Sequence, residues 1–217
     1  MKTVLVVGAG KFGSLIAKRM TELGSEVMVV DKDENNIDAL LPYVNNATIG
    51  DCANKEFIDS LGVGNYDVCF VSIGNDFETS LVVSAMLKDA GAKHVISRAS
   101  SDIQTALLLR IGCDEVIYPE KMMAERIATR YASDKILDYI QLDNSKYSIY
   151  ELKVPREWKG MTLKQLDIRN RHGVNIVALK KENEVVSPNG DTVIDEGDVA
   201  FVIGETKSLQ KLFKFDK

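Results

Sequence analysis

No apolar run in this chain approaches the roughly 18 residues that a membrane-spanning helix needs. The opening Met1–Gly10 (MKTVLVVGAG) is too short for a secretory leader and has no cleavage signature. Cysteine is scarce: Cys52, Cys69 and Cys113 are odd in number and show no CxxC spacing, so neither a disulfide framework nor a zinc site is indicated. An excess of positive charge is also missing. Twenty-seven Lys and Arg against 32 Asp and Glu leave a net charge of −5, which disfavours a general nucleic-acid-backbone binder. GxSxG, HExxH and P-loop patterns are absent, as is any low-complexity segment. A cytoplasmic protein with no nucleic-acid partner is expected.

What is present reads as an ordinary globular protein, 45% apolar and 27% charged over 217 residues. Short β-branched runs alternate with helix-length segments through the first two thirds. Lys2–Val7, Glu26–Val30, Ala47–Gly50, Asp67–Ile73, His94–Arg98 and Glu115–Tyr118 are nearly continuous in hydrophobicity, as strands of a parallel sheet covered on both faces must be. Lys11–Leu23, Glu56–Leu61 and Phe77–Ala90 read as helices, with Gly24, Gly62 and Gly91 placed to cap their C-termini. The alternation predicts an α/β fold: a Rossmann-like, doubly wound parallel sheet with right-handed crossovers.

The pattern changes after residue 118. Pro119–Tyr139 is expected as one helix, with proline at its first position and an acid beside it. Met123, Ile127, Tyr131, Ile136 and Ile140 make its apolar stripe, with a break near Ser133–Asp134. Beyond Tyr147 the chain is strand-rich, at Tyr147–Val154, Val174–Lys181, Glu184–Ser187 and Val199–Ile203. Turns at Glu182–Asn183 and Pro188–Gly190 and short helices at Leu163–Leu166 and Lys207–Phe213 complete a small α+β domain. The boundary is expected in the polar stretch Gln141–Lys146, dividing 1–140 from 141–217.

Chemistry is carried by Gly8-Ala9-Gly10-Lys11-Phe12-Gly13, a GxGxxG between a strand and a helix. The first glycine permits the tight turn, the second admits a pyrophosphate to the backbone, and the third lets helix and strand pack closely. Phosphates would rest on the free N–H groups of the helix start. Asp31 ends the second strand about 20 residues on, where a carboxylate accepts ribose hydroxyls. These features point to an adenine nucleotide. Asp31 disfavours a ribose 2′-phosphate, although the adjacent Lys32 offsets its charge. By topology the ends of the third, fourth and fifth strands border the same crevice, which nominates Asp51, Cys52, Ile73, Gly74, Asn75 and Arg98. Arg98 is either a fixed cation for a phosphate or half of a surface ion pair. Lys11 either touches a terminal phosphate or is a solvated helix-start lysine.

A dehydrogenase also needs an acid/base group near the cofactor. Neither His94 nor His172 has a carboxylate at a helpful spacing. An NAD(H)-dependent oxidoreductase is therefore the second reading, behind a non-enzymatic sensor in which a bound nucleotide biases a conformation.

The Gly8–Gly13 loop, Asp31, Gly50-Asp51, Ile111-Gly112-Cys113-Asp114 and Pro119-Glu120-Lys121 occur in an order that resembles one family. It is that of the cytosolic RCK-domain (TrkA/KtrA-like) regulatory subunits of Trk/Ktr-type potassium uptake systems. Leu166–Arg169 and Gly173–Ala178 resemble that family's C-terminal domain. The resemblance implies homodimers assembled into an octameric ring on a membrane channel subunit, with ATP/ADP or NAD(H) in the N-terminal domain controlling K⁺ flux. It implies that Pro119–Tyr139 is the crossover helix of the dimer. Relatives usually carry arginine at Lys11; lysine keeps the charge and loses the bidentate fork. Glu120 matches a glutamate that binds an activating cation such as Mg²⁺, with a plain helix-start role as the alternative. In the C-terminal domain Arg169 and Asn175 match polar contacts to cyclic di-AMP, with Ile168, Ile176 and Pro188 as apolar lining.

Overall fold

The computed structural model describes residues 1–74, 76–142, 146–182 and 184–213. The chain forms two compact units, Met1–Glu120 and Lys121–Lys217.

In the first unit the order is β1 (Thr3–Val7), α1 (Lys11–Glu22), β2 (Glu26–Asp31), α2 (Glu34–Asp38), β3 (Asn46–Ile49), α3 (Lys55–Ser60), β4 (Val68–Val71), α4 (Phe77–Asp89), β5 (Val95–Arg98), α5 (Asp102–Arg110) and β6 (Glu115–Ile117). The six strands are parallel in the order β3-β2-β1-β4-β5-β6. The Rossmann-like, doubly wound sheet read from the sequence is present. Consecutive residues of β1 serve opposite faces, which explains its unbroken apolarity. Leu5 and Val7 join a core with Ile58, Val83, Leu87 and Leu108 from α3, α4 and α5. Val4 and Val6 join another with Ala17, Ile37 and Leu40, in and just after α1 and α2. Gly24 (φ +83°) and Gly91 (φ +82°) take the left-handed conformation that stops α1 and α4.

The strand order reverses direction between β1 and β4. In such sheets the crossover helices diverge at that point and leave a crevice beyond the carboxyl ends of the strands.

α6 (Pro119–Tyr131) starts with the last two residues of the first unit and continues into the second. The second unit contains β7 (Ile136–Gln141), β8 (Tyr147–Lys153), α7 (Leu163–Leu166), α8 (Ile168–His172), β9 (Asn175–Lys181), β10 (Glu184–Val186), β11 (Val199–Glu205) and α9 (Thr206–Phe213). Its sheet is antiparallel in the order β10-β9-β11-β8-β7. Alternate residues of β8 (Ser148, Tyr150, Leu152) and β11 (Ala200, Val202) are buried, and Leu209 and Phe213 of α9 belong to the same core. That is the pattern of a sheet covered on one face.

One expectation needs correction. The helix expected to reach Tyr139 ends at Tyr131; Ile136 and Ile140 lie on β7, paired with Leu152 and Ile149 of β8. The compact units divide after Glu120, and β7 belongs to the second sheet; the domain boundary expected from the sequence lies at 140/141. Bidentate bonds from Arg126 to Asp138 (Nε–Oδ1 3.0 Å, Nη2–Oδ2 2.5 Å) tie α6 to that strand.

Candidate functional site

A cleft of about 630 Å³ opens at the carboxyl ends of β1 to β5, a size suited to a small ligand. Its floor is the Gly8–Gly13 loop. Gly8 has φ +93°, a left-handed conformation costly for any other residue, and its N–H donates to Val30 O at 2.8 Å. A Cβ on Gly13 would overlap the Gly8 carbonyl oxygen and Ser72 Oγ, so α1 packs here at a distance only glycine allows. Ser72 Oγ donates to that same carbonyl at 2.7 Å. Gly10 caps α1 with open space around its Cα and no acidic residue in the following turn. The first N–H groups of α1 therefore meet the cleft with the helix dipole behind them, an arrangement suited to an anion.

Asp31 stands opposite. Its Oδ2 accepts the Ala9 N–H at 2.6 Å and its Oδ1 the Asp33 N–H at 2.8 Å. Lys32 and Lys11 are exposed at the rim of the cleft. Beyond β3, Asp51 Oδ1 accepts the Ala53 N–H at 2.9 Å. A Cβ on Gly50 would enter the Phe57 ring, which holds this turn against α3. The buried Cys52 thiol is pushed up to about 12, first by burial and then by the charges of Asp51 and Asp31, so it stays protonated at neutral pH.

Beyond β4, Ile73 and Gly74 line the cleft, and Asn75 lies outside the described residues. Arg98 at the end of β5 places its guanidinium against the Gly74 backbone and 5.9 Å from the Phe12 ring centroid. Its Nη2 donates to Glu120 Oε1. Glu120 is held below the usual carboxylate range by its own backbone N–H and by Arg98. Among the described residues no group of three His, Cys, Asp or Glu side chains gathers to hold a metal ion.

Of the nominated cleft residues, Gly8, Gly10, Lys11, Phe12, Asp31, Lys32, Asp51, Cys52, Ile73, Gly74 and Arg98 line one cavity. Ala9 and Gly13 are buried in the loop beneath it.

The TrkA-N domain family model matches residues 4–119 and the TrkA-C domain model residues 148–216. The chain belongs to the TrkA family. Ktr system potassium uptake protein C of Bacillus subtilis (strain 168) is 36% identical over 214 residues, covering 98% of this chain and 96% of the relative. Ktr system potassium uptake protein A of the same organism is 30% identical over 211 residues, covering 97% and 95%. Among solved structures the GsuK channel superposes with a TM-score of 0.71 at 16% identity, over 97% of this chain and 38% of that one. The GsuK channel bound to NAD gives 0.67 at 17% identity, over 100% and 40%. At those identities the structures show a common fold. No described helix of this TrkA chain is long and apolar enough to cross a membrane.

In the TrkA-C domain the nominated Ile168, Arg169, Asn175 and Ile176 flank the turn at Gly173, and Pro188 follows β10. Arg169 and Asn175 are exposed, Ile176 and Pro188 half-buried, and Ile168 is buried in the core. Sequence reasoning missed several residues of the TrkA-N cleft: Asn36, Ala53, Ser72, Asp76 and Thr79. The Asp76-x-x-Thr79 spacing was the available signal, since a carboxylate three residues ahead of a helical N–H is a capping pattern. Asp76 accepts from Thr79 N (3.0 Å) and Oγ1 (2.6 Å), which holds its carboxyl below the usual range.

Proposed function

We propose that this chain is the nucleotide-sensing gating subunit of a Trk/Ktr-type potassium uptake system. An adenine nucleotide, ATP/ADP or NAD(H), binds in the cleft and sets the conformation of a cytoplasmic ring that controls a separate membrane subunit. The ring is built from homodimers as an octamer. The single observation that carries this reading is the convergence, at the switch point of the sheet, of the glycine loop, the free start of α1 and the Asp31 carboxylate. The potassium uptake relatives, matched over nearly their whole length, support the role in transport. Glu120 as a Mg²⁺ ligand and a cyclic di-AMP site around Arg169 and Asn175 belong to the same proposal.

The alternative, an oxidoreductase, is disfavoured by what the cleft does with its acids. Asp31, Asp51 and Asp76 each accept backbone N–H groups and so brace turns and a helix start. The described lining contains no histidine, and the Cys52 thiol is protonated.

The deciding experiment is mass spectrometry of the nucleotide released from the purified protein, with light scattering of the same sample. A co-purifying adenine nucleotide on a large oligomer is expected. A monomer with no thermal shift from ATP, ADP or NADH, or steady turnover of NADH, overturns the proposal.

A further inference from the structure

Arg98 is the cation set deepest in the cleft. Its side chain is 19% exposed, whereas that of Glu120, its ion-pair partner, is 56% exposed. The guanidinium is fixed from three sides, by the Gly74 backbone, the Phe12 ring and the carboxylate reaching in from the rim. Its Nε is buried and has no hydrogen-bond partner among the described residues. Glu120 thus occupies a strong phosphate-binding group while leaving one of its donors unused.

We infer that Glu120 is a built-in competitor for the anionic end of the ligand, holding Arg98 until a phosphate displaces it. The inference rests on the nucleotide reading above. Its energetic basis is an asymmetry between the two anions. A rim carboxylate gains little from an ion pair and costs little to release into water. A phosphate brings more charge and several acceptor oxygens to the same planar fork. The displaced group is also well placed to report the exchange. Glu120 lies in the first turn of α6 and is the last residue of the first unit, one peptide bond before the second begins. Loading the cleft therefore changes what holds the start of α6, with no bond made or broken.

The test is titration calorimetry in EDTA, which removes any divalent cation, using adenosine, ADP and inorganic pyrophosphate as probes. Glu120→Gln should bind ADP and pyrophosphate about fivefold more tightly than the wild type, the scale of one released surface pair. Adenosine, which has no phosphate, should bind both proteins equally. Arg98→Gln should lose most of the preference for ADP over adenosine, and the double variant Arg98→Gln/Glu120→Gln should match Arg98→Gln alone. Equal or weaker ADP and pyrophosphate binding by Glu120→Gln overturns the inference, as does a double variant that differs from Arg98→Gln. A wild type that binds neither adenosine nor ADP removes the nucleotide reading. Pyrophosphate still decides the exchange in that case: a gain in Glu120→Gln upholds it, and no gain overturns it.

Discussion

The Asp31 carboxylate accepts the Ala9 N–H at 2.6 Å, across the 22 residues that separate the end of β2 from the glycine loop. The residue placed to hold a ribose therefore also braces the loop that would hold the phosphates. Asp31→Ala removes both roles without removing core volume. We expect it to lower ADP affinity at least tenfold, with a stability loss of about 1–2 kcal/mol from the loop amide left without its charged acceptor. Calorimetry and thermal melts read the two effects separately. Unchanged affinity would place the ligand elsewhere.

Gly10 and Gly13 occupy the same loop for different reasons, and single alanines should separate them. At Gly13 a Cβ would meet the Gly8 backbone and Ser72 Oγ, neither of which can move without breaking the Ser72–Gly8 bond. Gly13→Ala should cost about 1–3 kcal/mol by overpacking, read as a fall in Tm of several degrees for a chain of this size. At Gly10 a Cβ meets nothing within 4 Å and φ is −62°. Gly10→Ala should melt within a degree or two of the wild type yet bind ADP at least tenfold more weakly, because its methyl group occupies the approach of the phosphates. A Gly10→Ala variant with unchanged ADP affinity would show that no phosphate passes there.

How far the sequence could be read depended on whether one pattern or two fitted the same residues. The parallel sheet was legible because β1, with both faces buried, cannot be mistaken for an amphipathic element. The loop and Asp31 were legible because their spacing follows from the reach of one ligand. The end of α6 was not. Ile136 and Ile140 stand at i, i+4, a helical spacing, and the register shift between Ile136 and Asp138 removes the strict alternation that would have announced a strand. The start of α5 carries a local signal, since Ser101 and Gln104 stand at the spacing of a capping box. Ser101 Oγ accepts the Gln104 N–H at 3.1 Å, and Gln104 Oε1 in turn accepts the Ser100 N–H at 2.8 Å. The partner of Arg98 was beyond reach, since Glu120 is distant in sequence and meets it only once β5 and the start of α6 are placed together.

Lys11 is the first residue of α1, exposed, and part of the cleft lining. Lysine supplies a point charge where arginine would supply a fork. Lys11→Arg should strengthen ATP binding several-fold relative to ADP, measured by calorimetry under identical Mg²⁺. Equal gains for both nucleotides would mean that the side chain never meets the terminal phosphate.

Asp114 ties three elements of the first unit together. Its Oδ2 accepts the Val95 N–H at the start of β5 (2.7 Å) and Lys88 Nζ from α4 (2.9 Å). The Val95 N–H first, and then Lys88, pull its pKa below the usual carboxylate value against the opposing effect of burial. A carboxyl whose folded pKa is depressed stabilises the fold fully above its unfolded pKa of about 3.9, and that contribution fades as pH falls through the folded value. Asp114→Asn keeps an acceptor for Val95 and loses the charge. It should cost about 1 kcal/mol at pH 7, or roughly 2–4 °C in Tm. The gap between variant and wild type should stay constant from pH 7 down to about pH 5 and close below about pH 4. Melting curves across that range check the sign directly, because a gap that widens on acidification would mean that the ionised form of Asp114 is not the one the fold prefers.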